Sequence, residues 1–208
     1  MSVKVDSLYQ NVSGDISSLW QNARVRAILQ VLFLLGMGAL ATVAKGISIP
    51  LGIPGHSAVL WLGVMVAGRT LVNKNGAGTL MGASVALWTI PISAGWHMPE
   101  GIATAGFLDN FYLYGLTGLA LDLSAKLPKM NIRHWFGALL CGTLAHLVKF
   151  AFKMLGTLFS PVVKHFMLVG VLQSFGLHIL FGAMAGVLGW GAYRVWKLKK
   201  ESSKKMAA

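Results

Sequence analysis

The stretch from Trp135 to Phe159, WFGALLCGTLAHLVKFAFKMLGTLF, decides the fold. It contains no acidic residue, and about 20 largely apolar residues in succession suffice to cross a bilayer as a helix. Gly142, His146, Lys149, Lys153 and Gly156 recur at spacings of four, three, four and three, which lines them along one helical stripe. Leu144, Leu147, Ala151 and Leu155 take the opposite face. A small-and-basic stripe of this kind points into a bundle and leaves the leucine face to lipid. Each lysine at the bilayer centre costs about 2.5–3.5 kcal/mol, so the pair needs an anion or water beside it. Two readings are open. If the helix runs to Phe159, Lys149 lies about 15 Å below its outer end, too deep to snorkel. If it stops near Phe152, both ammonium groups reach the headgroups along their alkyl stems.

Outward from this stretch, five more spans are predicted, at Ala27–Gly46, Ala58–Val72, Ala77–Trp96, Thr104–Ser124 and Phe166–Val195. Composition agrees: 55% of the 208 residues are hydrophobic and 12% charged, against about 25% charged in soluble domains. The sustained apolar/polar alternation of a transmembrane β-barrel is missing. The expected fold class is an all-α membrane protein, a six-transmembrane-helix bundle. Residues 24–197 make up that domain, 1–23 an N-terminal segment and 198–208 a basic tail. Leu8, Val12, Ile16, Leu19 and Trp20 recur at near-helical spacing, so the N-terminal segment is either a short interfacial helix or a frayed end. The first 23 residues lack the apolar core of a cleavable signal peptide.

Eighteen lysines and arginines against six acidic residues give a net charge of +12. Fourteen of the 18, among them Arg24, Arg26, Arg69, Lys74, Arg133 and the run from Arg194 to Lys205, fall on the side holding both termini. The positive-inside rule makes that side cytoplasmic, in a multi-pass cell-membrane protein. The excess is a topology signal and not a nucleic-acid footprint, which would cluster on one soluble face. The lipid bilayer is the expected partner, with anionic headgroups a second role for the C-terminal cluster. The lone cysteine, Cys141, excludes an intramolecular disulfide.

Other spans carry polar residues that converge on the same outer side. In the fourth, Asn110, Tyr114 and Thr117 share a stripe beside Asp109, which is either the internal counter-ion of Lys149 and Lys153 or a ligand contact. In the sixth, Ser174 and His178 lie one turn apart beside Gln173. Trp88 precedes Pro91, whose kink would aim the indole inward. The outer loop at residues 47–57, with two prolines and His56, is too apolar for a free linker and is expected to fold onto the bundle. No two of the six histidines stand at i,i+3 or i,i+4, so no metal site is expected. No HExxH, Ser-His-Asp order or GxxxxGK occurs, and no cofactor is expected.

The first half carries a further pattern. Gly36-Met-Gly-Ala-Leu-Ala-Thr-Val-Ala44 leads into Ile47-Ser-Ile-Pro-Leu-Gly-Ile-Pro-Gly-His56, then Leu60-Trp-Leu-Gly-Val-Met-Val-Ala-Gly68 and Gly76-Ala-Gly-Thr-Leu-Met-Gly-Ala83. This order, over roughly residues 27–118, resembles the S components of energy-coupling factor (ECF) vitamin transporters, their substrate-binding membrane subunits, and looks closest to the biotin and thiazole types. The resemblance implies six helices with cytoplasmic termini, an outward-opening site with the first loop as lid, and partners on separate chains: a transmembrane coupling subunit and two ATPases. The small-xxx-small motif used for docking has only Gly38-xxx-Thr42 as its nearest match. The N-terminal histidine of cobalt and nickel S components is absent from Met1-Ser-Val-Lys4, which disfavours metal as substrate.

The expected function is therefore capture of a small, anionic vitamin or precursor in an outward cavity, with no chemistry performed on it. Lys149 and Lys153 would meet the anion, His146, Asp109, Asn110, Tyr114, Gln173, His178 and His56 would add polar contacts, and Trp88 would supply an apolar wall. Two alternatives stay open: an intramembrane enzyme using His146 or His178 as base with Asp109, and a structural subunit whose polar stripe only joins helices.

Overall fold

A computed structural model describes residues 22–47, 55–95, 107–128, 130–158 and 168–206; of these, the side chains of 90–95, 107–110, 156–158 and 168–169 lie outside the description. The interfacial helix or frayed end expected before residue 22, and most of the three loops expected on the outer side, therefore fall outside the described residues. The chain divides into two compact units, Met1–Phe33 and Leu34–Ala208. The first contributes, among the described residues, the opening turns of one helix.

The described residues are all-helical: α1 (Ala23–Gly46), α2 (Ala58–Leu71), α3 (Ala77–Gly95), α4 (Phe107–Ser124), α5 (Trp135–Leu158) and α6 (Leu168–Met206). Three helices are long and apolar enough to cross a membrane, over Ala23–Gly46, Trp135–Leu155 and Gly170–Met206. The helix ends follow the hydropathy pattern closely except at α6. The segment expected as a basic tail continues the helix to Met206, because lysine and glutamate are good helix formers and Lys197 pairs with Glu201 one turn on.

Within the second unit α2 is the central element. Up to Gly68 it is apolar on every face, as in a helix packed among others, and Trp61, Leu62, Met65 and Val66 are wholly buried. Its 14 residues rise only about 21 Å, so it depends on the longer helices around it. Outside the core the pattern inverts that of a water-soluble protein. Leu60, Leu87, Phe111, Leu123, Phe136, Phe152, Leu172 and Leu188 are exposed, whereas Arg69, Thr70, Thr117, Asp122, His146 and His178 are buried. An apolar exterior of that extent suits lipid contact.

Small residues set the helix spacing. A Cβ on Gly82 would strike the Tyr114 carbonyl, and one on Gly118 the Gly78 carbonyl, so α3 and α4 run antiparallel with backbones nearly touching. Gly142 meets Gly182 and Gly186 in the same way, locking α5 against α6. Close approach of this kind replaces the hydrophobic drive that lipid cannot supply. Gly38 lies against Ser84, Ser84 Oγ donates to the Leu35 carbonyl at 2.9 Å, and Thr42 Oγ1 reaches the Val85 carbonyl at 3.2 Å. The Gly38-xxx-Thr42 face is thus spent on α3. Gly82→Ala is expected to lose about 1–3 kcal/mol by overpacking, while Gly36→Ala, with no atom within 4 Å of its Cβ, should be neutral or stabilising. Thermal melting of the two variants in detergent checks the contrast.

Candidate functional site

The Trp135–Phe159 stretch is helical to Leu158. Lys149 is therefore about 13 Å before the last described residue of the helix, and its ammonium turns inward instead of climbing along it. Nζ sits 4.2 Å from the Trp61 ring centroid and 4.5 Å from that of Tyr114, and donates to the Tyr114 hydroxyl at 3.4 Å. Lys45, from the last turn of α1, lies over the same phenol ring at 4.7 Å. The two rings meet edge to face at 5.0 Å, so four side chains from α1, α2, α4 and α5 form one cationic aromatic cluster. Ring faces attract an ammonium group, more strongly where water is excluded.

Beside it the His146 and His178 imidazoles stack at 4.6 Å. His146 Nδ1 lies 3.0 Å from the His178 carbonyl and His178 Nδ1 2.7 Å from the Ser174 carbonyl. A carbonyl only accepts, so both Nδ1 atoms carry the proton and, in the neutral ring, each Nε2 is left as an acceptor. Phe150 covers His178 at 4.6 Å. Gly55, just before His56, rests on the pair: its φ of +83° requires glycine, and a Cβ there would stand 3.1 Å from His146 Cε1. One end of the first loop is seated on the two imidazoles. Gly55→Ala should cost about 1–2 kcal/mol from the left-handed backbone alone, read as a lowered melting temperature.

The structure brings together Lys149, Tyr114, His146 and His178 of the residues singled out from sequence, with His56 half-buried in the turn that opens α2. Lys153, Gln173 and Trp88 are exposed; Trp88, expected as an inner wall, is 42% exposed, because α3 packs against α4 and α1 through Gly78, Gly82 and Val85 and Trp88 lies off that stripe. Asp109 and Asn110 lie in the first turn of α4, their side chains outside the described residues. Trp61 and Lys45 were missed, since nothing in their own helices marks them. Trp61 is the more informative: it is fully buried and its indole N–H has no hydrogen-bond partner among the described residues. Such orphaned donors are rare and call for an acceptor.

The second missed site lies at the other end of the unit. Arg69, expected as one of the charges on the cytoplasmic side, is buried inside α2, where its Nε donates to Asp122 Oδ1 at 2.7 Å, both side chains being at most 4% exposed. Asp122 also accepts from the Gly78 and Thr79 backbone N–H groups at 3.1 and 2.8 Å and from Thr79 Oγ1 at 2.9 Å. It thereby caps α3 and ties the ends of α2 and α4 to it. This saturated pair holds structure and leaves nothing for a ligand.

Among the described residues the ion pairs are Arg69–Asp122 and Lys197–Glu201, and neither answers Lys149. No three His, Cys, Asp or Glu of the described residues could hold a metal ion together. Cavities lined by described residues occur elsewhere, one of about 380 Å³ beside Asn73 and Asn131 and an apolar one of about 270 Å³ between α1, α2 and α6. No family model, curated protein or solved structure matches the chain.

Proposed function

We propose that this chain is the substrate-binding membrane subunit of an ECF-type transporter, a six-span bundle with both termini cytoplasmic. In this reading a small anionic organic molecule, a vitamin or precursor, enters from the outer side and is held at the Lys149 end of the bundle. The observation that carries the reading is the Lys149 ammonium, turned inward over Trp61 and Tyr114 with no carboxylate partner among the described residues. An anion there would form charge-assisted contacts in a site poor in water. The Trp61 N–H would donate to it as well, and the two imidazole Nε2 atoms would accept from its polar groups.

Helix directions support the six-span topology. Gly55 meets His178, Gly63 meets Ala185 and Gly189 meets Val66, so α2 and α6 run parallel, while α3/α4 and α5/α6 run antiparallel. The Lys149 cluster lies at the end of the bundle opposite Arg69 and the cationic C-terminal stretch, and the positive-inside rule supports reading that end as the outer one. Gly55, at the described end of the first loop, rests on His146 and His178, which is compatible with that loop serving as the lid. No ATP-binding motif occurs in the sequence, so energy would come from two ATPases through a transmembrane coupling subunit. Because Gly38 and Thr42 are spent on α3, that subunit would dock on another face.

Isolation of the tagged protein from its native membrane in mild detergent tests the assignment. A polytopic membrane subunit and two ATPases are expected in fixed proportion. Recovery of the chain alone, under conditions that preserve other membrane ATPase complexes, contradicts it.

A further inference from the structure

A second set of polar groups lies at the opposite end of the bundle, away from the Lys149 cluster. α6 has 39 residues, about 58 Å of helix against a hydrocarbon core of about 30 Å, so much of it stands outside the apolar layer. The transition is marked by Trp190, Tyr193 and Trp196, and beyond it come Lys197, Lys199, Lys200, Lys204 and Lys205. Aromatic residues of this type settle at the headgroup level.

Here Arg133, Tyr193, Trp196, Lys197, Lys200 and Lys204 line a cavity of about 260 Å³. Three of its four cations are held in place. Arg133 Nε reaches the Thr70 carbonyl at the end of α2 at 3.4 Å, and its guanidinium lies over Tyr193 at 5.9 Å. The Arg133 carbonyl accepts from Trp190 Nε1 at 3.1 Å, fixing the loop to α6. Lys200 Nζ lies 5.0 Å over Trp196. The cavity has one carboxylate, Glu201, which stands 3.8 Å from Lys197, so four cations face one anion. Val195 and Leu198, next to the cavity along α6, are 66% and 56% exposed.

We propose that this pocket binds the phosphate headgroup of an anionic phospholipid, with the acyl chains running along the exposed aliphatic residues of α6. The arginine fork matches phosphate oxygens two at a time, and lysines near a charged membrane surface add attraction. The aromatic trio at headgroup level and the aliphatic flank exposed along the same helix match a lipid, whose headgroup and acyl chains would meet both at once. The inference rests on the chain spanning a membrane and is independent of what the Lys149 end captures.

The test uses the full chain in neutral detergent, titrated with short-chain phosphatidylglycerol, with phosphatidylcholine of the same chain length and with inorganic phosphate, bound lipid being counted by native mass spectrometry. Salt is set near 1 M, where the Debye length is about 3 Å and only contact pairs survive. Phosphatidylglycerol should bind one per chain, phosphatidylcholine should not, and phosphate should not displace it. Arg133→Gln with Lys200→Gln should weaken binding about tenfold or more. Lys199→Gln with Lys205→Gln, outside the pocket, should leave it unchanged. Should the Arg133 variant fail to fold by circular dichroism, Lys197→Gln with Lys204→Gln, both on the solvent-exposed part of α6, should give the same loss. Equal loss in the outside-pocket variant, equal binding of phosphatidylcholine, or displacement by free phosphate overturns the proposal. So does a pocket variant that retains lipid but loses a copurifying acidic protein.

Discussion

Asp122→Ala should be the most damaging single substitution in this protein, costing about 3–5 kcal/mol of stability. The carboxylate accepts from the Arg69 guanidinium, two backbone N–H groups in the first turn of α3 and the Thr79 hydroxyl. Its removal strands a guanidinium that is 3% exposed and reopens the start of α3, and an uncompensated buried charge is expensive wherever it occurs. The double variant Arg69→Met, Asp122→Leu should recover part of the loss by removing the stranded charge, and not all of it, because the α3 cap stays broken. Thermal unfolding of the wild type, Asp122→Ala and the double variant in one detergent gives the three values. A single variant within about 0.5 kcal/mol of wild type, the range of ordinary surface changes, would remove Asp122 from its role as the tie between α2, α3 and α4.

The second large effect is on capture. Lys149→Ala should weaken binding of an anionic ligand by about 2–5 kcal/mol, at least about thirtyfold, since one partner of a buried charge pair is lost. The sign of its effect on the unliganded protein separates the competing roles. Lys149 and Lys45 crowd one phenol ring, at 4.5 and 4.7 Å from its centroid, and like charges so placed repel. That repulsion offsets the attraction of the two rings and the Tyr114 hydrogen bond, so the empty protein should change little in stability when Lys149 is removed, while the rise in melting temperature on ligand addition is abolished. If Lys149 only joined helices, the empty protein would melt lower.

What the sequence discloses is what local periodicity encodes. Gly142, His146 and Lys149 fall at i, i+4 and i+7 of one apolar run, and the structure turns all three inward, Gly142 onto α6, His146 against His178 and Lys149 onto Trp61 and Tyr114. Lys153 continues the same stripe but lies exposed one turn on. The periodicity sets the direction of a side chain from its own helix and says nothing of how far the neighbouring helices extend. Trp61 and Arg69 show the converse. Both sit in an α2 whose residues from Ala58 to Gly68 are all apolar, so that no face stands out, and their partners are on α4 and α5, 53 or more residues away. Arg69 had the look of one more positive-inside charge, although Asp122 neutralises it. Trp88 was expected inward on the strength of Pro91, yet its indole is 42% exposed, because a proline three residues on does not fix the direction a side chain takes from its own helix.

The direct test of the central claim is native mass spectrometry of protein purified from rich medium without added ligand, comparing wild type with Lys149→Ala. A small anionic organic molecule should be carried by the wild type at up to one per chain and be lost from the variant while both retain the same helical content. Wild-type protein that carries no such molecule and binds none from a panel of anionic vitamins, or a variant that carries the same molecule undiminished, contradicts the account.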